Sequence, residues 1–479
     1  MMLLMLSPRM GRMNPLLLYP VEKLNISLFP LFRGIVHGCS LLIHKSHFER
    51  VGLFDIRLKS TQDYALWFKM FREAELLFTP DFLVKSRVHP EQGTHKITNH
   101  LEECNNLWMG MISELTAEEM RKMDGSVLKF YKEEARFLEA TPYSQAWSFT
   151  KHRFENTGLV LLKSTISVVI PFKNRINWLL EAIESVLSQT YKNIEIIVVD
   201  DSSDDDLSPL HNLLAKDGRI HYMRSNGKGV SAARNTGIAM ATGAFIAFLD
   251  SDDLFYPEKL ETQLKYMVSE CLSFSHTSYN RMTNSGQILE CMDTSYFVGN
   301  VFPSILCNCP VATPAVMADA LLLKEHLFDE KIHIGEDTCL WIDIAYMYEF
   351  GAIKTPFVSV RIGETSAFQN KDKQLIGITN IMSHIAQNPL YKDNTNEIGL
   401  LASYLGRTLC GGLSDKTYDE TPVLLAPIQK RKPFIVRFVQ SGFRGIRRIA
   451  FALGLKRMIG RSRLYRRMEQ RGTLQRLRG

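Results

Sequence analysis

The residues best suited to chemistry lie between Phe248 and Asp253, FLDSDD, where an apolar run stops in a cluster of carboxylates. Asp250, Asp252 and Asp253 at that spacing repel one another and stay ionised only beside a cation or hydrogen-bond donors. No histidine or cysteine accompanies them, so they suit oxygen ligation of a hard ion, Mg2+ or Mn2+, bridging a diphosphate. An Asp-rich turn with a helix cap would use the same residues, because Asp and Ser favour both. A second acidic stretch, Asp200-Asp201-Ser202-Ser203-Asp204, offers Asp201 as an acceptor for a base or sugar, or as an N-cap or Asx turn. Asn226-Gly227-Lys228-Gly229-Val230-Ser231 is a glycine-rich approach to a helix whose first amides could face a diphosphate, though a plain turn has the same composition. Arg234-Asn235 on that helix could reach a nucleotide or form an exposed face.

These groups must be held by the elements around them. Ala244–Leu249 reads as a short strand buried on both faces, and Leu254-Phe255-Tyr256-Pro257 leads into a helix with proline at its start. Upstream, Ile166–Ile170 is an apolar strand ended by Pro171. Ile176, Leu179, Leu180, Ile183 and Leu187 mark one face of a helix, and Ile194–Val199 is a second buried strand. A helix near 207–216, a strand at 220–223 and a helix near 230–241 complete the alternation. Strands alternating with helices predict an α/β fold with a mostly parallel sheet covered on both faces. Ligands of such sheets sit beyond the carboxyl ends of the strands, where Asp201 and Asp250–Asp253 all fall.

The chain has 479 residues, enough for two or three domains, with the apolar (45%) and charged (23%) shares of a globular protein. No run of eighteen apolar residues predicts a membrane span, and MMLLMLSPRM is a poor signal peptide. Eight scattered cysteines without CxxC pairs suit a reduced, cytoplasmic protein. The net charge of +6 conceals an asymmetry: residues 430–479 carry sixteen Lys/Arg against Glu469 alone, about +15, and the remainder is about −9. In that tail Arg and Lys alternate with Phe, Ile and Leu at roughly helical spacing, suiting an anionic membrane surface; a solvated tail and a nucleic-acid contact are the alternatives.

The sequence also repeats. Leu53-Phe54-Asp55 recurs as Leu327-Phe328-Asp329, Asp63 as Asp337, Leu66-Trp67 as Leu340-Trp341 and Arg87 as Arg361, always 274 residues apart. Residues 34–95 therefore read as a second copy of the segment at 308–369, without a counterpart of FLDSDD. This copy has an expected strand near 39–43, helices near 46–51 and 63–73, and a strand near 76–87. Residues 96–163 read as a helical connector.

ISVVIPFKNR, QTYKNIEIIVVDDSS, GVSAARNTGIAMATGAFIAFLDSDD and the GED at Gly335–Asp337 together resemble the family 2 glycosyltransferases, of the GT-A fold. The resemblance covers about 200 residues from Ile166 to Arg361, and residues 34–95 match the family's second half. It implies a Rossmann-like, mixed, mostly parallel sheet, with Pro171, Asn174 and Asp201 lining a nucleotide pocket; Arg234, read from its place after the glycine-rich loop, is a further candidate for the donor. It further implies Asp250 and Asp252 as a DxD pair, Asp252 and Asp253 at the metal, and Asp337 as catalytic base. Glu336 would orient Asp337 or compete with it. A basic motif that commonly closes the donor site in this family is matched by Arg87-Val88-His89, whereas the complete copy has Arg361-Ile362-Gly363 and lacks the imidazole.

The expected organisation is a partial module at 1–95, a helical connector at 96–163, a complete catalytic domain at 164–370, a helical extension at 371–429 and a basic amphipathic tail at 430–479. The expected activity is metal-dependent, inverting transfer of a hexosyl or N-acetylhexosaminyl group from a nucleoside-diphosphate sugar to a glycan or lipid-linked hydroxyl, in cell-surface polysaccharide synthesis. The expected location is the cytoplasm, peripheral on the inner face of the membrane, with no nucleic-acid partner. A nucleotidyltransferase on a related fold would carry a glycine-rich signature near its first strand, and a glycan-binding scaffold would use both modules without catalysis.

Overall fold

The computed structural model describes residues 2–5, 19, 21–72, 74, 76–79, 84, 99–363, 371–388 and 391. The Arg87-Val88-His89 motif and the tail at 430–479 lie outside the described residues. The chain divides into two compact units, residues 1–163 with 268–272, and residues 164–267 with 273–479.

The first unit begins with β1 (Met2–Met5), α1 (Val21–Leu24), α2 (Phe29–Phe32), β2 (Leu41–Ile43), α3 (Ser46–Val51), α4 (Gln62–Phe71) and β3 (Leu76–Thr79). Strand β1 is central, antiparallel to β2 and parallel to β3. Helices α5 (His100–Glu114), α6 (Ala117–Asp124), α7 (Val127–Glu139) and α8 (Ser144–Leu161) follow. They are not a connector. Trp67, Phe68 and Phe71 of α4 share one core with Trp108, Met111 and Ile112 of α5 and Phe130 and Leu138 of α7, so the expected boundary at 95/96 runs through a continuous core. Inside it the guanidinium of Arg33 bridges Asp124 at 2.5 Å and Glu134 at 3.0 Å, and burial still pushes Glu134 up to about 8.

The second unit runs β4 (Ile166–Phe172), α9 (Ile176–Leu187), β5 (Ile194–Asp200), α10 (Ser208–Leu214), β6 (Ile220–Arg224), α11 (Val230–Met240) and β7 (Phe245–Phe248). It continues with β8 (Leu254–Phe255), α12 (Lys259–Glu270), β9 (Phe274–Met282), β10 (Ile288–Met292), β11 (Met317–Asp319), α13 (Ala320–Glu325), α14 (Glu336–Met347), β12 (Phe350–Arg361) and α15 (Lys371–Gln387). The sheet order is β6-β5-β4-β7-β11-β9-β12-β8, with β10 beside β9. Strands β6, β5, β4 and β7 are parallel; β11 runs against β7 and β9, and β12 is parallel to β9. This is the α/β, mixed and mostly parallel sheet that the alternating pattern predicts.

The chain builds outward from β4 to β5 and β6, then returns across them through α11 to β7. Right-handed crossovers put α11 on the face opposite α9 and α10. Gly237 lets α11 lie close to β4: a Cβ there would meet Val169 at 2.3 Å. Phe248, Phe328, Trp341 and Phe274 form the aromatic centre of the core. Helix α15 belongs to this core through Met382 and Ile385, so the expected boundary at 370/371 does not separate it from the rest. Among the described residues no helix is long and apolar enough to cross a membrane.

Candidate functional site

The carboxyl ends of β4, β5 and β7 converge where the chain reverses its direction of building, the usual ligand position in such sheets. Pro171 is buried in β4 opposite Val199, two residues past the last rung with β7, Val169 to Phe248. A proline there costs no hydrogen bond, because its missing N–H would have faced no strand. Its place is in the strand wall rather than on an open pocket surface. Asn174 and Arg175 both have left-handed backbones, φ 59° and 61°. Asn174 accepts from the amide of Asp204 at 2.8 Å and donates its own amide to Ser203 Oγ at 2.8 Å, joining the loops after β4 and β5.

The two aspartates ending β5 divide their work. Asp200 is buried and makes the turn, accepting from the amide of Ser203 at 2.7 Å and from the Tyr222 hydroxyl at 3.0 Å. Asp201 instead reaches the glycine-rich loop, where its Oδ1 accepts from the amide of Gly229 at 2.9 Å. Gly229 has φ +93°, a conformation other residues avoid, and this amide is turned to Asp201. Lys173, exposed, stands 3.7 Å from the other oxygen of Asp201.

Beyond β7 the three aspartates have different surroundings. Asp250 Oδ1 accepts from Arg234 Nη2 at 2.8 Å, and Asp252 Oδ2 lies 3.3 Å from Arg175 Nη1. Asp253 is buried, and its Oδ1 accepts from the amide of Arg361, the last residue of β12, at 2.7 Å. Burial, then the charges of Asp250 and Asp252, push the Asp253 carboxyl well above its usual range; burial and Asp250 raise Asp252 as well. The Arg361 guanidinium donates to the carbonyls of Asp252 and Asn284 and to Glu181, and both it and Arg175 lie over the Trp178 ring, 4.9 Å and 5.1 Å from its centre. Gly363 stands beside the Asn284 side-chain oxygen, 3.2 Å from where a Cβ would be.

The donor chemistry here suits a hard divalent cation: adjacent carboxylates that disfavour each other's ionisation, without sulfur or imidazole. No group of three His, Cys, Asp or Glu side chains gathers as a complete ligand set among the described residues. One or two carboxylates plus substrate phosphates is the usual provision for Mg2+.

Glu336 and Asp337 open α14 behind Gly335, whose φ of 82° turns the chain into the helix. Glu336 is buried and accepts from Arg234 Nη1 at 2.9 Å. Burial and neighbouring Asp337 push Glu336 up to about 7, against the opposing charge of Arg234. Asp337 is half-buried; it accepts from the Thr313 hydroxyl at 3.0 Å and the Thr338 amide at 2.6 Å. Asn235, a candidate nucleotide contact, instead clamps the backbone of Phe328: it donates to the carbonyl at 2.9 Å and accepts from the amide at 3.0 Å.

The fold thus links Asp250 through Arg234 to Glu336, beside Asp337, and gathers Asn174 and Asp201 on the neighbouring loops. Thr313, Trp178, Arg175 and Glu181 were not singled out from the sequence. Arg175 had a visible signal, a basic residue directly after the strand-ending PFKN. Thr313 had none, being a lone hydroxyl at the start of a short 3-10 turn, Thr313–Ala315.

A protein-family model described as Glycosyl transferase family 2 matches residues 167–304. A Rickettsia felis protein described as a glycosyltransferase is 48% identical over 407 residues, 84% of this chain and 67% of the relative. One from Rickettsia bellii, described likewise, is 48% identical over 368 residues, 77% of this chain and 53% of the relative. The chain therefore spans between about half and two thirds of these relatives' lengths. An Escherichia coli protein described as UDP-Glc:alpha-D-GlcNAc-diphosphoundecaprenol beta-1,3-glucosyltransferase is 32% identical over 228 residues, 47% of this chain and 88% of that protein.

Proposed function

This chain belongs to glycosyltransferase family 2, and from that premise we propose that residues 164–370 catalyse inverting, metal-dependent transfer of a sugar from a nucleoside-diphosphate donor to a lipid-linked acceptor hydroxyl. The observation that carries the reading is the contact chain Asp250–Arg234–Glu336, which ties the strand-end carboxylates to the helix bearing Asp337. Asp337 takes the proton of the acceptor hydroxyl as its oxygen bonds to the anomeric carbon. The bond from that carbon to the diphosphate breaks on the opposite face, so the configuration inverts. Asp250 and Asp252 orient the ribose and diphosphate, while Asp201 and Asn174 shape the loops about the nucleotide. A divalent cation held by Asp252 and Asp253 would, when bound, neutralise charge growing on the leaving diphosphate.

The E. coli relative's description supports a UDP-hexose donor and a diphosphoundecaprenol-linked acceptor. Incubation with a panel of nucleotide sugars, Mn2+ and a GlcNAc-diphosphoundecaprenol acceptor tests this by nucleoside-diphosphate release and product anomeric configuration. Absence of release with every donor, or a product that retains configuration, overturns it. Such an acceptor lies at a membrane, which suits the basic segment at 430–479.

Residues 34–95 are, in this reading, a copy of the second half of the module at 164–370. Three pairs of elements begin 274 residues apart, α3 and α13, α4 and α14, and β3 and β12. The pairings are alike too: β2 antiparallel and β3 parallel to β1, as β11 antiparallel and β12 parallel to β9. At the same offset Gln62 stands for Glu336 and Cys39 for Thr313.

A further inference from the structure

We propose that Arg234 is a positioning residue that touches neither donor nor acceptor and acts by holding Asp250 and Glu336 in one fixed arrangement. The inference rests on the reading of this site as a glycosyltransferase centre, and it replaces the expectation that Arg234 binds the donor.

Arg234 is 4% exposed. One Nη is committed to Glu336 Oε1 at 2.9 Å and the other to Asp250 Oδ1 at 2.8 Å. The Phe328 ring lies 5.2 Å from the guanidinium carbon, and Nε is enclosed. Phe328 is itself immobilised, because Asn235 grips both its amide and its carbonyl. Each Nη already donates to a carboxylate, and the buried side chain offers a phosphate no open edge of the fork.

The arrangement has a mechanical consequence. Asp250 belongs to the segment following β7, Arg234 to α11 and Glu336 to the first turn of α14. One buried cation therefore joins three elements, and the base Asp337 is the next residue after one of its two anchors. Removing the cation leaves Glu336 buried without a counter-charge, an arrangement that proteins relieve by proton uptake or local rearrangement. Either outcome disturbs the start of α14 and hence the direction of Asp337. Because Arg234 acts on the base through Glu336, its loss and the loss of the Glu336 charge should overlap rather than add.

The test compares wild type, Arg234→Met, Glu336→Gln and the double variant as full chains. Two readouts are taken: UDP binding in the presence of Mn2+ by calorimetry, and kcat and donor KM with whichever nucleotide sugar the wild type consumes. The expected result is that Arg234→Met loses about a hundredfold in kcat while UDP affinity falls far less, about tenfold at most through the released Asp250, and that the double variant is no slower than Arg234→Met. Arg234→Lys, which keeps the charge but cannot span both carboxylates, should fall between wild type and Arg234→Met; together with the double variant it preserves the test if Arg234→Met fails to fold. UDP affinity that falls in step with kcat/KM, combined with losses that multiply in the double variant, would overturn the proposal and return Arg234 to the donor. A wild type that neither binds UDP nor consumes any nucleotide sugar would instead refute the glycosyltransferase reading.

Discussion

The hydroxyl of Thr313 donates to Asp337 Oδ2 at 3.0 Å, while the amide of Thr338 donates to Oδ1 of the same carboxylate at 2.6 Å. Each oxygen of the proposed base is thereby oriented; Oδ1 also accepts from the Thr338 hydroxyl at 3.4 Å, and Oδ2, with Thr313 as donor, keeps a lone pair for an acceptor proton. Thr313 is buried at the start of a short 3-10 turn, Thr313–Ala315, before β11. Replacing it with valine, of the same shape, should lower kcat about tenfold with donor KM unchanged, and Thr313→Ser should keep most of the activity. Steady-state kinetics with varied donor checks this. A loss confined to donor KM would assign Thr313 to the nucleotide.

The aspartates after β7 make a pH-dependent prediction. Burial and mutual repulsion raise the carboxyls of Asp252 and Asp253 above their ordinary 3.8. A divalent cation binds the ionised forms only, so protons and metal compete. Mn2+-dependent UDP binding should weaken as the pH falls, beginning well above 3.8, and EDTA should abolish turnover until Mn2+ is restored. Titration calorimetry across pH gives the result directly. Affinity that stays flat on acidification until the ordinary carboxylate range is reached would show that these carboxylates do not hold the ion.

Where one face of an element alone determines its packing, the sequence was legible. Helix α9 spans Ile176–Leu187 as the spacing of Leu179, Ile183 and Leu187 predicts, and β4 passes its last rung with β7 just before Pro171. Asp200 and Asp201 could not be told apart, since they are chemically identical neighbours. Their division of labour follows from successive side chains pointing to opposite faces of a strand, one to its own turn and one to Gly229. Arg234 was visible as a basic residue after a glycine loop, but its partner Glu336 lies 102 residues further on, and nothing local signals a buried bridge. The helices after residue 99 showed an apolar face but not its partner, the core around Trp67 and Phe71.

The basic segment at 430–479 should anchor the protein electrostatically. With sixteen cationic side chains and one acid, it gains about 1 kcal/mol for each Lys or Arg close to an anionic surface. Co-sedimentation with phosphatidylglycerol vesicles should be lost on deleting these residues, and wild-type binding should fall as salt shortens the screening length. Neutral phosphatidylcholine vesicles should not retain either protein. Equal sedimentation of both proteins with anionic vesicles would remove the tail from membrane attachment.

Lys259 should cost the second unit stability in a pH-dependent way. It is fully buried, lies over the Phe255 ring at 4.3 Å and donates to Gln263 Oε1 at 2.9 Å. The Gln263 amide is in turn spent on the carbonyls of Ser275 and Ala315. Lys259 also opens α12, where the helix dipole disfavours positive charge. Burial lowers its pKa from 10.5 to about 7. Between those values the unfolded chain binds the extra proton, so stability rises with pH across that window, and below about 7 the full burial penalty is present. Lys259→Met should therefore stabilise the protein by roughly 1.4 kcal/mol for each unit of displaced pKa at pH 6.5 or below, with the gain shrinking toward zero near pH 10. Urea denaturation of both proteins at pH 6.5 and pH 9.5 measures the difference. A gain equal at the two pH values would mean that packing, rather than the buried charge, sets the cost of Lys259.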